Sequence, residues 1–350
     1  MKPYLEINGR KVGPGHPVYL VAEVSANHSQ KFDQAAAIIE AAAKAGADAI
    51  KLQTYTADTL TIRSDEPCFK ISGGTLWDGK TLHDLYGEAY TPWEWHPKLK
   101  KVANDLGMDL FSTPFDSTAV DFLDQMGVPV HKIASFEAVD IALIEKAARS
   151  GKPLIISTGM ATLDEVRDAV EAAKRGGADQ VALLKCTSAY PAVPDEMNLK
   201  AIELLANTFK IPVGISDHTM GIEVSVAAVA LGACIIERHV TISRKIESAD
   251  SSFSLEPHEF RALHDAVRNV EKALGQARMD VTAHEQKSRI FRRSLFAVED
   301  IKAGEPLTAK NVRSIRPGYG LLPKHLSEIL GRKAKACIKR GTPLNWDLLQ

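Results

Sequence analysis

The sequence predicts a (β/α)8 barrel followed by a small β-rich domain, and three observations carry that expectation. Residues 1–275 alternate eight short β-branched or apolar runs with eight Ala/Leu-rich stretches of helical period. Eight strand–helix units in a segment of that length is the arithmetic of a closed parallel barrel. After Gly275 the pattern changes: SLFAVEDIKAGEPLTAKNVRSIRPGYGLLP mixes short strands with the turns KAGE and RPGYG. A doubly wound open sheet is the alternative. It needs a glycine-rich phosphate turn after an early strand, and AEVSANH, after the first strand, contains no glycine.

The predicted strands are 18–22, 49–53, 109–112, 130–134, 153–157, 181–185, 212–215 and 234–238. Helices are expected over 33–46, 94–107, 117–126, 138–149, 163–176, 198–208, 221–231 and 257–275. Gly46, Gly107, Gly127, Gly151 and Gly232 stand where helices should stop, because glycine tolerates the left-handed conformation that closes a helix. One connection is long. The stretch between Gln53 and Glu94 holds Trp77, Tyr86, Tyr90 and Trp93, with Trp95 just beyond, so three of the four tryptophans crowd here. A long loop on the active face of a barrel usually serves function, although each ring also suits packing over the rim. The expected division is a catalytic barrel over 1–275, a polar linker over 276–287 and a compact domain over 288–350.

Composition excludes several classes. The chain has 350 residues, 43 Lys and Arg against 44 Asp and Glu, 45% hydrophobic and 25% charged residues, which are ordinary globular values. The longest nearly apolar run, 224–236, is too short to span a bilayer. MKPYLEINGRKVGPGHPVYL lacks the apolar core and small-residue cleavage site of a signal peptide. Cys68, Cys186, Cys234 and Cys337 lie far apart with no CxxC pair, so neither a disulfide framework nor a thiolate zinc site is expected, and a reducing cytoplasm fits. The balanced charge hides an asymmetry. Residues 286–350 carry 14 Lys and Arg against 5 Asp and Glu, a net of +9, which leaves −10 on residues 1–285. Such a tail either attracts its own acidic body or brings positive charge to an anionic substrate. Nucleic acid suits it less, because the basic residues are dispersed and not interleaved with an aromatic platform.

In a barrel the chemistry sits at the C-terminal ends of the strands. Strand by strand, the sequence delivers Glu23, Asn27 and His28; Lys51; Ser112 and Thr113; Lys132, Ser135 and Glu137; Ser157 and Thr158; Thr187, Ser188 and Tyr190; Asp217 and His218; Glu237 and His239. Burying unpaired charges costs several kcal/mol, so these groups must meet one another, a metal or a charged ligand. His218 and His239, on adjacent strands and each beside a carboxylate (Asp217, Glu237), suit an open site for Mn²⁺, Fe²⁺, Co²⁺ or Zn²⁺. The alternative for each is a hydrogen-bonded structural histidine. Lys51, Lys132, Thr113, Ser135, Ser157 and Ser188 form a set of cationic and hydroxyl donors that fits a phosphate or a phosphorylated carboxylate. The alternative for the lysines is pairing with Glu23 or Glu137. Cys186 has no histidine nearby in sequence and is expected to be a buried, inert thiol rather than a nucleophile.

Taken together, AEVSANH, ADAIKLQTY, FSTPFD, HKIASFE, STGMA, KCTSAYP, GISDHT and ALGACIIERHV, in this order, resemble the sialic acid synthase family. RSLFAVEDIKAGE with RPGYGLLP resembles its C-terminal antifreeze-protein-like (SAF) domain, so the likeness covers nearly the whole chain. GTLWDGKTLHDLYGEAYTPWEWH, with SAYPA, resembles the pseudaminic acid branch more than the N-acetylneuraminate branch. The resemblance implies condensation of phosphoenolpyruvate with an N-acetylated amino sugar aldehyde, release of phosphate, and a divalent metal, typically Mn²⁺, with Mg²⁺ or Co²⁺ as alternatives. It places His218 and His239 as metal ligands. Lys51, Thr113, Lys132, Ser135, Ser157, Ser188 and Ser216 fall where phosphoenolpyruvate is held, and Glu23, Glu137, Tyr190 and Asp250 near the water and the sugar. Arg316 of RPGYG matches an arginine that enters a partner subunit's site, which implies a domain-swapped homodimer. Ser188 stands where the neuraminate branch has Asn, and Phe136 where it has Gly. Phe136 would make the sugar pocket less polar, which suits a 6-deoxy sugar with a second acetamido group. Competing expectations are neuraminate or legionaminate synthesis, a Schiff-base aldolase using Lys132 or Lys51, and a non-catalytic glycan- or ice-binding protein.

Overall fold

A computed structural model describes residues 1–74 and 76–350 and divides the chain into two compact units, Met1–Gly275 and Gln276–Gln350. The first opens with a hairpin of β1 (Leu5–Ile7) and β2 (Arg10–Val12). Eight parallel strands then close into a barrel: β3 (Tyr19–Glu23), β4 (Ala49–Thr54), β5 (Asp109–Pro114), β6 (His131–Ile133), β7 (Leu154–Ser157), β8 (Val181–Cys186), β9 (Val213–Asp217) and β10 (Ile235–His239). Closure is made by β10 pairing with β3, with Ile235 opposite Tyr19 and His239 opposite Glu23. Barrel strands are covered on both faces, by the interior and by the helical ring, which is why they read as unbroken apolar runs rather than alternating ones. All five residues of β3 are buried.

The helices run over Phe32–Ala45, His96–Asp105, Ser117–Met126, Ile141–Ala148, Leu163–Arg175, Ala201–Phe209, Glu223–Ala230 and Pro257–Leu274, each beside its expected span. Their ends have local causes. The Asp116 carboxylate accepts from the backbone N–H groups of Thr118 and Ala119, and Thr162 with Glu165 forms a reciprocal capping box. Gly46, at φ +95°, closes the first of them, where a Cβ would lie 2.6 Å from the His264 ring.

Alternation along the strands sorts side chains into two cores. One parity (Leu20, Ala22, Ile50, Leu52, Ile156, Leu183, Ile215, Ile236) packs against the helices. The other (Tyr19, Val21, Ala49, Phe111, Ile155, Ala182, Leu184, Ile235) fills the barrel interior toward the strands' N-terminal ends. Leu5, Ile7 and Val12 of the hairpin join that interior cluster and plug the lower end. The hairpin was not expected, although LEINGRKV carries the Asn-Gly signal of a two-residue turn; Asn8 and Gly9 both have positive φ.

The second unit is built on β11 (Ser294–Ala297) paired antiparallel with β12 (Val312–Ile315) and has its own core of Leu295, Ile301, Leu307, Val312, Ile329, Ile338 and Leu344. Ahead of it, Ala283–Ser288 forms a short helix capped by Thr282. Among the described residues no helix is long and apolar enough to cross a membrane.

Candidate active site

The interior parity that is apolar at the bottom of the barrel turns polar at the top. Glu23 follows Tyr19 and Val21 on β3, Lys51 follows Ala49 on β4, Thr113 follows Phe111 on β5, Ser157 follows Ile155 on β7 and Cys186 follows Leu184 on β8. Glu237 follows Ile235 on β10 and precedes His239. With Lys132 on β6 and Ser216 on β9, this is a complete ring of buried polar groups. The period-two rule thus converts eight strand ends into one site.

The ring is tied together by charge. Lys51 Nζ lies 2.8 Å from Glu23 Oε2 and donates to Glu237 Oε1 at 2.9 Å. Lys132 Nζ donates to Ser157 Oγ at 2.6 Å and to the Ile133 carbonyl at 3.0 Å, with Glu237 Oε2 4.0 Å away. Ser216 Oγ donates to Glu237 Oε1 at 3.1 Å. The two carboxylates that flank Lys51 are pushed apart. Burial lifts Glu23 well above the carboxylate range even with Lys51 beside it, whereas Lys132, Lys51 and Ser216 overcome burial at Glu237 and hold it low. Burial alone would depress Lys51, but Glu23 and Glu237 outweigh it and keep it protonated. Lys132 is less compensated: burial lowers it to about 8. Two ammonium groups against one firmly ionised carboxylate leave this layer with positive charge to offer an anion.

Around Lys132 the hydroxyls form a cradle. Ser135 Oγ accepts from the Gly159 N–H at 3.1 Å. A Cβ on Gly159 would lie 2.2 Å from Ser188 Oγ and 2.7 Å from Ser135 Oγ, so only glycine lets these hydroxyls converge. Thr113 Oγ1 and Glu137 Oε2 are buried without partners, and such groups cost about 1–3 kcal/mol each unless a ligand satisfies them.

His218 and His239 meet with 5.2 Å between ring centroids. His218 Nδ1 lies 3.1 Å from the Thr187 carbonyl, which turns its Nε2 edge away from the backbone. His239 Nδ1 is buried without a hydrogen-bond partner, 3.7 Å from Asp250 Oδ2. Among the described residues no group of three or more His, Cys, Asp and Glu side chains gathers to hold an ion. The two facing imidazoles and the orphaned His239 Nδ1 suit a divalent cation completed by substrate and water, rather than a closed structural site.

One expected neighbour is elsewhere. Asp217, one residue out of parity, points away from the interior and pairs with buried Arg238 at 2.6 Å, while Arg238 donates to the Thr219 carbonyl. That pair is structural, and Asp217 is no ligand-side carboxylate. Cys186, expected to be inert, has its Sγ 3.9 Å from His218 Nδ1. Strands β8 and β9 are adjacent, so a histidine remote in sequence arrives beside it. Burial raises this thiol, but His218, Ser135 and Ser188 outweigh burial and bring it down to about 7.

The mouth is aromatic. Tyr190 stands 4.5 Å from the His218 ring, 5.2 Å from Phe253 and 5.8 Å from Trp77. Of the long connection, Trp77 reaches the mouth, whereas Trp95 packs on His28 and Phe32, and Trp93 on Phe122. Phe136 is 58% exposed. Asp250 is buried and accepts from the Ala26 N–H at 3.4 Å. Arg316 is exposed and lies in the second unit, directly after β12.

Burial lifts the half-buried Glu137 carboxyl from 4.5 to about 7. The folded protein then binds this proton more tightly than the unfolded chain between those values, so stability falls as pH rises through that window. Glu137→Gln keeps the shape without the charge. Its melting temperature is expected to gain on the parent's as pH rises from about 5 to about 8; an unchanged difference would remove this titration from Glu137.

Residues 38–279 match the NeuB family, and residues 292–350 match the SAF domain. The chain is 47% identical to the pseudaminic acid synthase of Campylobacter jejuni over 93% of this chain and 95% of that protein. It is 42% identical to the pseudaminic acid synthase of Helicobacter pylori over 95% and 97% respectively. Among solved structures it is similar to the N-acetylneuraminic acid (sialic acid) synthetase of Leptospira borgpetersenii in complex with citrate. That match has a TM-score of 0.73 and 33% identity and covers 81% of this chain and 94% of the other.

Proposed function

The chain belongs to the NeuB family, and on that premise we propose that it is a pseudaminic acid synthase. It condenses phosphoenolpyruvate with 2,4-diacetamido-2,4,6-trideoxy-L-altrose and water to give pseudaminic acid and phosphate. The observation that carries this reading is the union, at one barrel mouth, of the Lys51–Lys132–Ser157 layer with the His218–His239 pair. Lys51 and Lys132 neutralise the phosphate and carboxylate of phosphoenolpyruvate, and Thr113, Ser135, Ser157, Ser188 and Ser216 orient them with hydroxyl contacts. His218 and His239 would hold a divalent cation, Mn²⁺ in this reading, which would supply Lewis acidity at the sugar's aldehyde oxygen. Tyr190 and Asp250 position the open-chain sugar so that its aldehyde carbon faces the methylene carbon of phosphoenolpyruvate. Once the carbon–carbon bond forms, the former aldehyde oxygen takes up a proton to become a hydroxyl, and C2, now electron-deficient, accepts water. Glu137 or Glu23, each with its pKa raised toward neutrality, takes the water's proton. The bond from C2 to the phosphate oxygen then breaks as the new C2 hydroxyl gives up its proton to form the ketone, and phosphate leaves with Lys51 and Lys132 beside it.

In this reading Arg316 is delivered by a second copy of the chain and donates to an acetamido oxygen of the sugar, so the working unit is a homodimer, resident in the cytoplasm. The test is incubation with the sugar and phosphoenolpyruvate. One phosphate should appear for each product whose mass equals sugar plus pyruvic acid. Formation of the same product from pyruvate, with no phosphoenolpyruvate, would make the protein an aldolase instead.

A further inference from the structure

The aromatic loop after β4 is absorbed only in part by this chemistry. Residues 70–74 and 76–81 are the two described arms of an excursion closed at its base. Lys70 and Thr81 pair as an antiparallel bridge, Ile71 N–H donates to the Lys80 carbonyl at 2.9 Å, and Gly79 N–H donates to the Ile71 carbonyl at 3.0 Å. Inside it the Asp78 carboxylate accepts from the N–H groups of Gly73 and Gly74 at 3.1 and 2.8 Å. A loop bonded in this way presents its side chains in a defined direction. Trp77 is aimed across the mouth: Nε1 donates to the Ala249 carbonyl at 3.2 Å, beside Asp250, and the indole leans on Tyr190 at 5.8 Å. It therefore touches the two loops that carry Tyr190 and Asp250.

Position along the substrate follows from the order of the rings. The aldehyde must lie near His218 and His239, and Tyr190 stacks on His218. Trp77 lies one ring further out. A sugar chain that starts at the histidines and runs outward past Tyr190 meets the indole with its far carbons, not with C1 and C2. In the proposed substrate those carbons carry an acetamido methyl at C4 and a bare methyl at C6, where N-acetylmannosamine carries hydroxyls. An indole gains from covering methyl groups and loses by desolvating hydroxyls. Resting on the substrate reading above, we infer that Trp77 is a specificity-determining residue that packs against the apolar groups at the far end of the sugar and selects for them.

Two variants test this in the full-length, metal-loaded enzyme. Trp77→Ala is expected to lower kcat/KM for the diacetamido sugar roughly 10- to 100-fold, mainly through KM, because one or two lost methyl contacts carry that much discrimination. The KM for phosphoenolpyruvate should stay unchanged, and N-acetylmannosamine should lose far less, so the ratio between the sugars collapses. Trp77→Phe keeps an aromatic face while losing the Nε1 donor to Ala249, and should stay near the parent's selectivity. Equal fractional losses on both sugars in Trp77→Ala would mean that the indole only props up Tyr190 and Asp250, and would overturn the inference. So would a Trp77→Phe variant as unselective as Trp77→Ala. A parent enzyme that prefers N-acetylmannosamine would instead overturn the substrate reading, and one that cannot turn over the diacetamido sugar would overturn both.

Discussion

Replacing His218 with alanine is expected to lower kcat by roughly three orders of magnitude or more, since Lewis-acid assistance contributes several kcal/mol and each 1.36 kcal/mol is tenfold in rate. Chelation by EDTA should have the same effect on the parent enzyme, with recovery on adding Mn²⁺ or a similar ion. Bound metal measured by elemental analysis should fall in His218→Ala even when total protein is unchanged. The fold should survive. His218 Nδ1 meets the Thr187 carbonyl and Cys186 Sγ, and its ring meets Tyr190, His239 and Phe253 at the mouth; losing one such hydrogen bond costs about 1 kcal/mol. The interior below the site is packed by the Tyr19–Phe111–Ile235 cluster and does not depend on that ring. Full activity in a metal-free preparation would remove the metal from the account.

Arg316→Ala is expected to reduce sugar use by about 1.5–3 kcal/mol, the range for a charged hydrogen-bond donor, while leaving phosphoenolpyruvate binding largely intact. The reason lies in the division of the chain. The groups proposed to hold phosphoenolpyruvate all stand in the barrel, whereas Arg316 is exposed in a separate unit that carries the excess of positive charge. Mixing Arg316→Ala with His218→Ala distinguishes delivery in trans from delivery in cis. With exchanged domains, a heterodimer has one site bearing both defects and one bearing neither, so activity partly returns. With Arg316 serving its own barrel, every site keeps one defect and mixing restores nothing. Subunit exchange, followed by mass spectrometry of differently tagged copies, accompanies the assay.

Much of the barrel was legible because parallel strands covered on both faces leave apolar runs, and because glycines mark the helix ends. The strand ends were legible for a related reason: Lys51, Lys132, Glu237 and His239 interrupt such runs with charges that a core does not tolerate unpaired. Parity was harder to read. Asp217 and His218 are neighbours in sequence, yet one faces Arg238 in the shell and the other faces the interior, and only the register of β9 against β10 decides which. The convergence of Gly159 with Ser135 and Ser188 was also hidden, since it depends on a missing Cβ and not on a reactive group. Contacts across the mouth were the least accessible. Trp77 and Ala249 are 172 positions apart, and nothing in either segment announces the other. The lower hairpin, by contrast, carried its own turn signal in Asn8–Gly9.

The identity of the sugar decides the assignment. Purified enzyme supplied with phosphoenolpyruvate and Mn²⁺ is given, side by side, 2,4-diacetamido-2,4,6-trideoxy-L-altrose, N-acetylmannosamine and the diacetamido sugar that leads to legionaminic acid, and phosphate release is followed for each. The kcat/KM for the altrose derivative is expected to exceed that for N-acetylmannosamine by at least roughly 100-fold, because the two sugars differ in an acetamido contact as well as a methyl and in configuration. Equal kcat/KM values for the two, or a preference for either competitor, would contradict the assignment.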